Sequence, residues 1–298
     1  KAMIFLRISI FFLLFFAGSL QNPAYSQDRA IKVVTSFSVL DDLIRQIGGN
    51  RVEVKALVGP NQDAHSFSPS PKDAISVKNA DLVVVNGLGF DAWSERLIKS
   101  SGYKGEIVIA TKGVQPIKSR EGGHSSVDPH AFQDIQNVKM YVSNIYDALI
   151  KLDPKSQALF EVNKTRFTQQ LDSLDIEIKA AFSSIPKEQR RVVTSHDALG
   201  YYGKAYDIVF LAPNGLTNDV EPNAKKISML IRQIKADHIK AVFVENLKNN
   251  RVIEQISKET NVTIGGPLFS DALSNGPPAG TYIDMMRNNT KQISQALK

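Results

Sequence analysis

Apolar residues recur along this chain in two alternating rhythms. In "IKVVTSF" (Ile31 to Phe37) β-branched residues crowd a short run, after which Leu40, Leu43, Ile44 and Ile47 return at intervals of three and four until Gly48 and Gly49 stop them. The first rhythm predicts a strand and the second an amphipathic helix. "VEVKALV" (Val52 to Val58), "DLVVVNG" (Asp81 to Gly87) and "EIVIAT" (Glu106 to Thr111) read as further strands, the middle one apolar enough to be buried on both faces. A helical pattern over Val138 to Leu152 closes this half. Alternation of this kind implies parallel strands joined by helical crossovers.

Residues 153–184 break the rhythm. They contain no glycine, place Pro154 where a first turn tolerates it, and carry Leu159, Phe160, Phe167, Leu171, Leu174, Ile178 and Phe182 at mixed spacings of three and four. The pattern predicts one helix, roughly 45 Å long at 1.5 Å per residue. A helical hairpin broken near Ser173 is the alternative. The strand and helix alternation then resumes with "RRVVTS" (Arg190 to Ser195), "DIVFLA" (Asp207 to Ala212), a helix over Ala224 to Ala236, "IKAVFVEN" (Ile239 to Asn246), a helix over Arg251 to Glu259, "VTIGG" (Val262 to Gly266) and a last helix over Tyr282 to Leu297. The predicted architecture is α/β: two lobes, each with a parallel-rich sheet flanked by helices, joined by one long rigid helix. The expected divisions are an N-terminal lobe over 27–152, the linking helix over 153–184 and a C-terminal lobe over 185–298.

The first 26 residues stand outside this scheme. Lys1 and Arg7 precede the apolar run Ile8 to Ala17, and "AYSQ" (Ala24 to Gln27) supplies small residues, the three parts of a secretory signal. The apolar run is too short for a bilayer, which takes about 20 residues, and no later segment approaches that length. Cysteine is absent, which excludes a disulfide framework, a thiolate metal site and a lipid-modified cysteine within the sequence. An exported chain with neither anchor nor span would be lost from a cell with a single membrane, so the expected compartment is a bacterial periplasm.

Setting aside Lys1 and Arg7 leaves 34 basic and 30 acidic residues, a net charge of +4. Basic residues are scattered among acids without a block or stripe, a pattern that does not suggest nucleic-acid binding.

Ligands of open parallel sheets sit at the carboxyl ends of strands. Four side chains with metal-ligand chemistry fall at or beyond such ends: His65, His130, His196 and Asp271, two from each half. Their separations of 65, 66 and 75 residues leave room for βα units between each pair, so all four can converge on a cleft. Taken singly, each has a plainer reading: a loop histidine is usually solvated or hydrogen-bonded, and an aspartate beside serine is ordinary turn chemistry. His238 fits a helix C-terminus, and His124, in "REGGHSSVD", fits a loop that at most assists metal capture.

The local sequences change that balance. "DAHSFSPSPKD" (Asp63 to Asp73), "DPHAFQDIQN" (Asp128 to Asn137), "SHDALGYYGKAYDI" (Ser195 to Ile208) and "GPLFSDAL" (Gly266 to Leu273), with "NGLGFDAW" (Asn86 to Trp93), resemble in order and spacing the ligand motifs of the zinc/manganese-binding receptors of bacterial ABC importers. The resemblance covers essentially the whole chain after the leader. It implies metal ligands at His65, His130, His196 and Asp271, one Zn2+ or Mn2+ as transported ligand, and an ABC-importer membrane permease as partner; a receptor that must present both lobes to a permease is most simply a monomer. Ala64, Phe132 and Ile135 depart from the family pattern, which has Pro, Trp and Pro at those places. Three imidazoles and a carboxylate suit a borderline divalent ion, zinc by its nitrogens and manganese by its oxygen. The segment before His130 is short and lacks a long histidine-rich loop, which favours a receptor handling both ions. A long helix resists hinge bending, so ion release is expected from local loop movement, first of the loop bearing Asp271.

Two other classes compete with this reading. A periplasmic zinc hydrolase would keep three ligands and an open position, with Glu245 as base, although Glu245 equally suits orienting a histidine. The adjacent Ser195, His196 and Asp197 lack the turn that presents a nucleophilic serine. An adhesin or organic-solute receptor on the same fold would use Phe67, Phe90, Trp93, Phe132, Tyr201 and Tyr202 as walls; packing that shields ligand loops is their plainer role.

Overall fold

The computed structural model describes residues 29–121, 124–216, 224–247 and 250–298. The predicted leader, 1–26, lies outside them. The first half runs β1 (Ile31–Phe37), α1 (Ser38–Gly48), β2 (Val52–Val58), α2 (Pro71–Lys78), β3 (Leu82–Val85), α3 (Trp93–Ser101), β4 (Glu106–Ile109), a hairpin of β5 (Lys118–Glu121) and β6 (His124–Val127), and α4 (Ile135–Leu152). β1 to β4 form one sheet in the order β2-β1-β3-β4, every neighbouring pair parallel, with Ile31 opposite Val52 and Val33 opposite Leu82.

α5 (Gln157–Phe182) is continuous through Ser173, so the hairpin alternative fails. Its 26 residues span about 39 Å at 1.5 Å per residue. It is shorter than the sequence pattern suggests because Pro154–Ser156 forms a separate 3-10 turn before it. Phe160, Phe167, Leu171, Leu174, Ile178 and Phe182 line its buried side, and α1, α4, α6 and α9 all pack against it.

Beyond it follow β7 (Arg191–Val193), α6 (Gly200–Tyr206), β8 (Val209–Leu211), α7 (Ala224–Ala236), β9 (Ala241–Glu245), α8 (Arg251–Thr260), β10 (Thr263–Leu268) and α9 (Tyr282–Leu297). The second sheet has the order β10-β9-β7-β8 and is again parallel throughout. Successive strand residues point to opposite faces. Val192 and Phe243 accordingly join the core that extends through α5 into the first sheet, while Val193 and Val242 meet Leu230, Ile234, Ile253 and Ile256 of α7 and α8 in a smaller second core.

The hairpin and α2, α3 and α6 were not legible in the periodicity. α2 starts with Pro71 after a capping box in which Ser70 and Asp73 satisfy each other's backbone N–H. α3 ends where Gly102 takes a left-handed conformation, φ 72°. No helix among the described residues is long and apolar enough to cross a membrane.

Candidate metal centre

Parallel strands deliver all their carboxyl ends to one edge of a sheet, and the two sheets present those edges to each other. His65 lies on the loop after β2, His130 between the hairpin and α4, His196 three residues past β7, and Asp271 three past β10. One ligand atom from each lies within 4.8 Å of all the others. His65 Nε2 is 3.1 Å from His130 Nε2 and 3.9 Å from Asp271 Oδ2; Asp271 Oδ1 is 3.4 Å from His130 Nε2, and its Oδ2 is 3.1 Å from His196 Nε2. A tetrahedral ion with bonds of about 2.1 Å keeps its donors about 3.4 Å apart, so this spacing is that of a coordination shell.

Each histidine is set by a local device. Asp63 and Asp128, each two residues before a histidine, accept the N–H of His65 and of His130 at 2.8 and 2.9 Å. Glu245, the last residue of β9, accepts the backbone N–H groups of Ser195 and His196 through Oε1 at 2.8 and 3.1 Å. Trp93 Nε1 donates to Ala64 O at 2.7 Å and fixes the proline-rich loop from behind. Phe90 meets the ring of His65 edge-on at 4.6 Å and that of His130 at 5.6 Å, and packs on Phe37 and Phe132.

Behind the cluster, Asp128 Oδ1 lies 2.8 Å from His130 Nδ1, and Glu245 Oε2 lies 2.7 Å from His196 Nδ1. The loop bearing Asp271 is tied down on the far side of the cleft: Leu273 N–H donates to Ser38 Oγ at 3.0 Å, Asn61 N–H to Leu273 O at 2.8 Å, and Gln133 Nε2 to Ser270 O at 2.6 Å. Movement of that loop therefore has to break three bonds to the first half.

Charge is concentrated here out of reach of bulk solvent. His130, His196 and Asp271 are fully buried, and both Asp271 oxygens and both ring nitrogens of His196 lack a hydrogen-bond partner. Burial opposes ionisation of Asp271, but the facing charges of His196 and His130 outweigh it and hold its carboxyl well below the usual range. A buried carboxylate with both oxygens unbonded, ringed by nitrogen donors, fits a divalent cation. Its two oxygens face different histidines, so it can bind an ion through one or both.

The chain has known relatives. The profile of the family described as zinc-uptake complex component A, periplasmic, matches residues 33–296. The chain belongs to that family. Among its relatives are the manganese-binding lipoprotein MntA of Halalkalibacterium halodurans, 32% identical over 280 residues (93% of this chain, 92% of that protein), and the iron-binding protein YfeA of Yersinia pestis, 30% identical over 284 residues (94% and 90%). Solved structures agree in fold. The periplasmic zinc binding protein TroA from Treponema pallidum superposes with a TM-score of 0.84 at 29% identity, covering 90% of this chain and 99% of that one. A manganese-bound periplasmic metal binding protein from Candidatus Liberibacter asiaticus gives 0.81 at 30% identity, covering 90% and 100%. Relatives in this family are metal-binding receptors of ABC transporters, and the two-lobe α/β architecture is theirs as well as this chain's.

All four sequence-predicted ligand positions meet in one place. The remaining predicted groups do not join them: His238 is an exposed residue just past the end of α7, in a left-handed turn of φ 50°, and Tyr202 bonds Thr290 among Phe182, Tyr206 and Phe210. His124 belongs to the hairpin strand β6. Sequence reasoning missed Asp128, Gln133 and Ser270. A signal for Asp128 was present, since Asp-x-His occurs twice, at Asp63 and at Asp128.

Proposed function

We propose that this chain is an exported receptor that binds one zinc or manganese ion through His65, His130, His196 and Asp271 and hands it to an ABC permease for import. The observation carrying this reading is the buried set of three Nε2 atoms and an unbonded carboxylate, drawn from four separate loops. The ion is cargo, held between lobes over 27–152 and 185–298 that the helix within 153–184 keeps in register. Zinc is favoured by raw affinity, and the two oxygens of Asp271 leave room for the higher coordination manganese takes. A monomer is the simplest form able to present both lobes to a permease.

A receptor and not a hydrolase is favoured because the groups an enzyme would need are committed elsewhere. Both Glu245 oxygens are engaged by Ser195, His196 and Ser270, which leaves no free base. His196 Nδ1 faces Glu245 and not Asp197, and Ser195 Oγ has no hydrogen-bond partner, so the Ser-His-Asp reading has no geometry. Several relatives are named lipoproteins. Fractionation and intact mass of the native protein test for such an anchor here.

The deciding experiment strips the purified protein with chelator, adds back zinc, manganese or magnesium, and measures bound metal and melting temperature beside His130→Ala. One equivalent of zinc or manganese with a marked rise in melting temperature, lost in the variant, is expected. A melting curve that neither ion moves sinks the reading.

A further inference from the structure

Asn86, the residue after β3, is fully buried, and every hydrogen of its side-chain amide is bonded. We propose that Asn86 is a positioning residue for metal binding: its side chain pins the peptide that carries His130, and its backbone anchors the loop that carries Phe90, so that ligand and wall keep one spacing. This rests on the metal-receptor reading above.

The partners of the amide fix which way it points. Nδ2 lies 3.0 Å from Pro129 O and 3.0 Å from Gly87 O, and carbonyl oxygens only accept, so both amide hydrogens go there. Tyr141 on α4 donates its O–H to Oδ1 at 2.8 Å, which keeps the amide from turning over. Pro129 O belongs to the same planar peptide unit as the N–H of His130, which Asp128 Oδ1 accepts at 2.9 Å. That unit is therefore held on both edges, from β3 by Asn86 and from its own loop by Asp128, and His130 leaves it in one direction.

The backbone of Asn86 has a second role. Its N–H and that of Gly87 donate to the two oxygens of Asp91 at 2.6 and 3.1 Å, closing a tight loop over Gly87, Leu88 and Gly89. All three have positive φ, 88°, 55° and 88°, which is uncommon for a residue such as Leu88. A backbone of this kind persists only where its surroundings over-determine it. Asn86 O helps to do so by accepting both the N–H and the Oγ1–H of Thr111, just past β4, at 3.1 and 2.8 Å. The turn ends by setting Phe90 edge-on against the rings of His65 and His130.

Any buried amide must be paired, so its bonds alone prove only packing. What marks Asn86 is where the bonds end: on the residue before a ligand and on the turn that leads to the ligand's wall. A binding constellation tolerates drift of about 0.5 Å, so a loosened Pro129–His130 peptide changes how the ion is held as well as how stable the fold is. Cobalt(II) takes the places that zinc takes, and its visible bands report the number and arrangement of its donors.

The test compares wild type, Asn86→Ser and Ile256→Ala by zinc competition against a chromophoric chelator and by the visible spectrum of the cobalt-loaded protein. Asn86→Ser removes both amide N–H groups without adding charge, and its shorter hydroxyl does not reach as far toward Pro129 O. It is expected to bind zinc about tenfold more weakly and to shift the cobalt bands. Ile256→Ala opens a cavity in the smaller core under α7 and α8, away from the cluster, and is expected to lose stability while keeping the wild-type affinity and spectrum. An Asn86→Ser affinity within about threefold of wild type, a cobalt spectrum superimposable on it, or an Ile256→Ala spectrum shifted as far overturns the proposal. Should Asn86→Ser not fold, Asn86→Asp, which keeps the outline and the acceptor for Tyr141 but when ionised has no hydrogen for Pro129 O, decides by the same two readouts. A wild type that takes up no zinc defeats the receptor reading and this proposal together; normal wild-type uptake with an unaffected Asn86 variant defeats this proposal alone.

Discussion

Asp42 on α1 accepts a 2.8 Å hydrogen bond from the backbone N–H of Tyr282, the first residue of α9 and 240 positions further along the chain. The opening N–H groups of a helix have no partner inside it. Thr281 covers the N–H of Asp284, and Asp42 covers that of Tyr282 from the opposite half. Replacing Asp42 with Ala strands a buried donor, which is expected to cost about 1–3 kcal/mol. Urea unfolding of the metal-free protein measures it; a change below about 0.5 kcal/mol, the size of a neutral surface substitution, contradicts the role.

Metal uptake is expected to expel protons. Burial favours neutral imidazole, but at His130 the hydrogen bonds and charges of Asp128 and Asp271 outweigh it and raise the pKa to about 9; at His196, Glu245 and Asp271 raise it to about 10. At His65 burial wins over Asp271 and lowers the pKa to about 4. At pH 7 the metal-free site therefore holds protons on His130 and His196, and both must leave before an ion binds. Affinity should climb by up to about 100-fold per pH unit near neutrality, well above the pH 6 region where ordinary histidines titrate. Calorimetry in buffers of different ionisation enthalpy counts the protons: close to two per ion are expected, and fewer than about one rejects the linkage. Without metal, the two raised groups add stability that is complete below about pH 6.5 and is lost as pH rises through 9 to 10, whereas His65 removes stability as pH falls from about 6.5 through 4.

Gly200, the first residue of α6, leaves no room for a side chain. A Cβ there would sit 2.6 Å from Asp128 Oδ2 and 3.3 Å from Ile117 Cδ1. Gly200→Ala is expected to push the carboxylate off His130 and to weaken zinc binding about tenfold. Competition titration checks this; unchanged affinity would mean that Asp128 yields without loosening its histidine.

Phe90 is the apolar wall of the site, 1% exposed and in ring contact with Phe37, Phe132, His65 and His130. Phe90→Ala is expected to destabilise the metal-free protein by about 3–5 kcal/mol through the cavity it opens, with Phe90→Leu recovering most of the loss. Denaturation midpoints of the two variants at equal slope make the comparison.

The strands and long helices announce themselves because burial imposes a period on them: β1, β2, α7 and α9 have the limits that hydrophobic spacing sets. α6 escaped detection because "GYYGKAY" carries two glycines in seven residues, a poor helix by propensity. Tertiary contact demands both: Gly200 makes way for Asp128, and a Cβ on Gly203 would lie 2.5 Å from Ile208 O. The strands of the hairpin, "KSRE" and "HSSV", have no apolar alternation to read. At the site the four converging side chains were legible only as a set, through the order and spacing of their motifs, since each alone is ordinary loop chemistry. The bonds behind them were not, since Gln133 to Ser270 and the His196 N–H to Glu245 join residues 137 and 49 positions apart through contacts that no local pattern encodes.

α5 contributes six buried side chains to a core shared by both sheets. Apart from the smaller core under α7 and α8, the halves therefore share one interior, and they are expected to melt together. An ion that touches only four loops consequently raises the melting point of the entire chain in one cooperative transition, by an amount set by its concentration over its dissociation constant. Cargo and fold are thermodynamically linked: a change that loosens the shared core, even far from the cleft, lowers the apparent grip on the metal once it leaves an appreciable share of the chain unfolded.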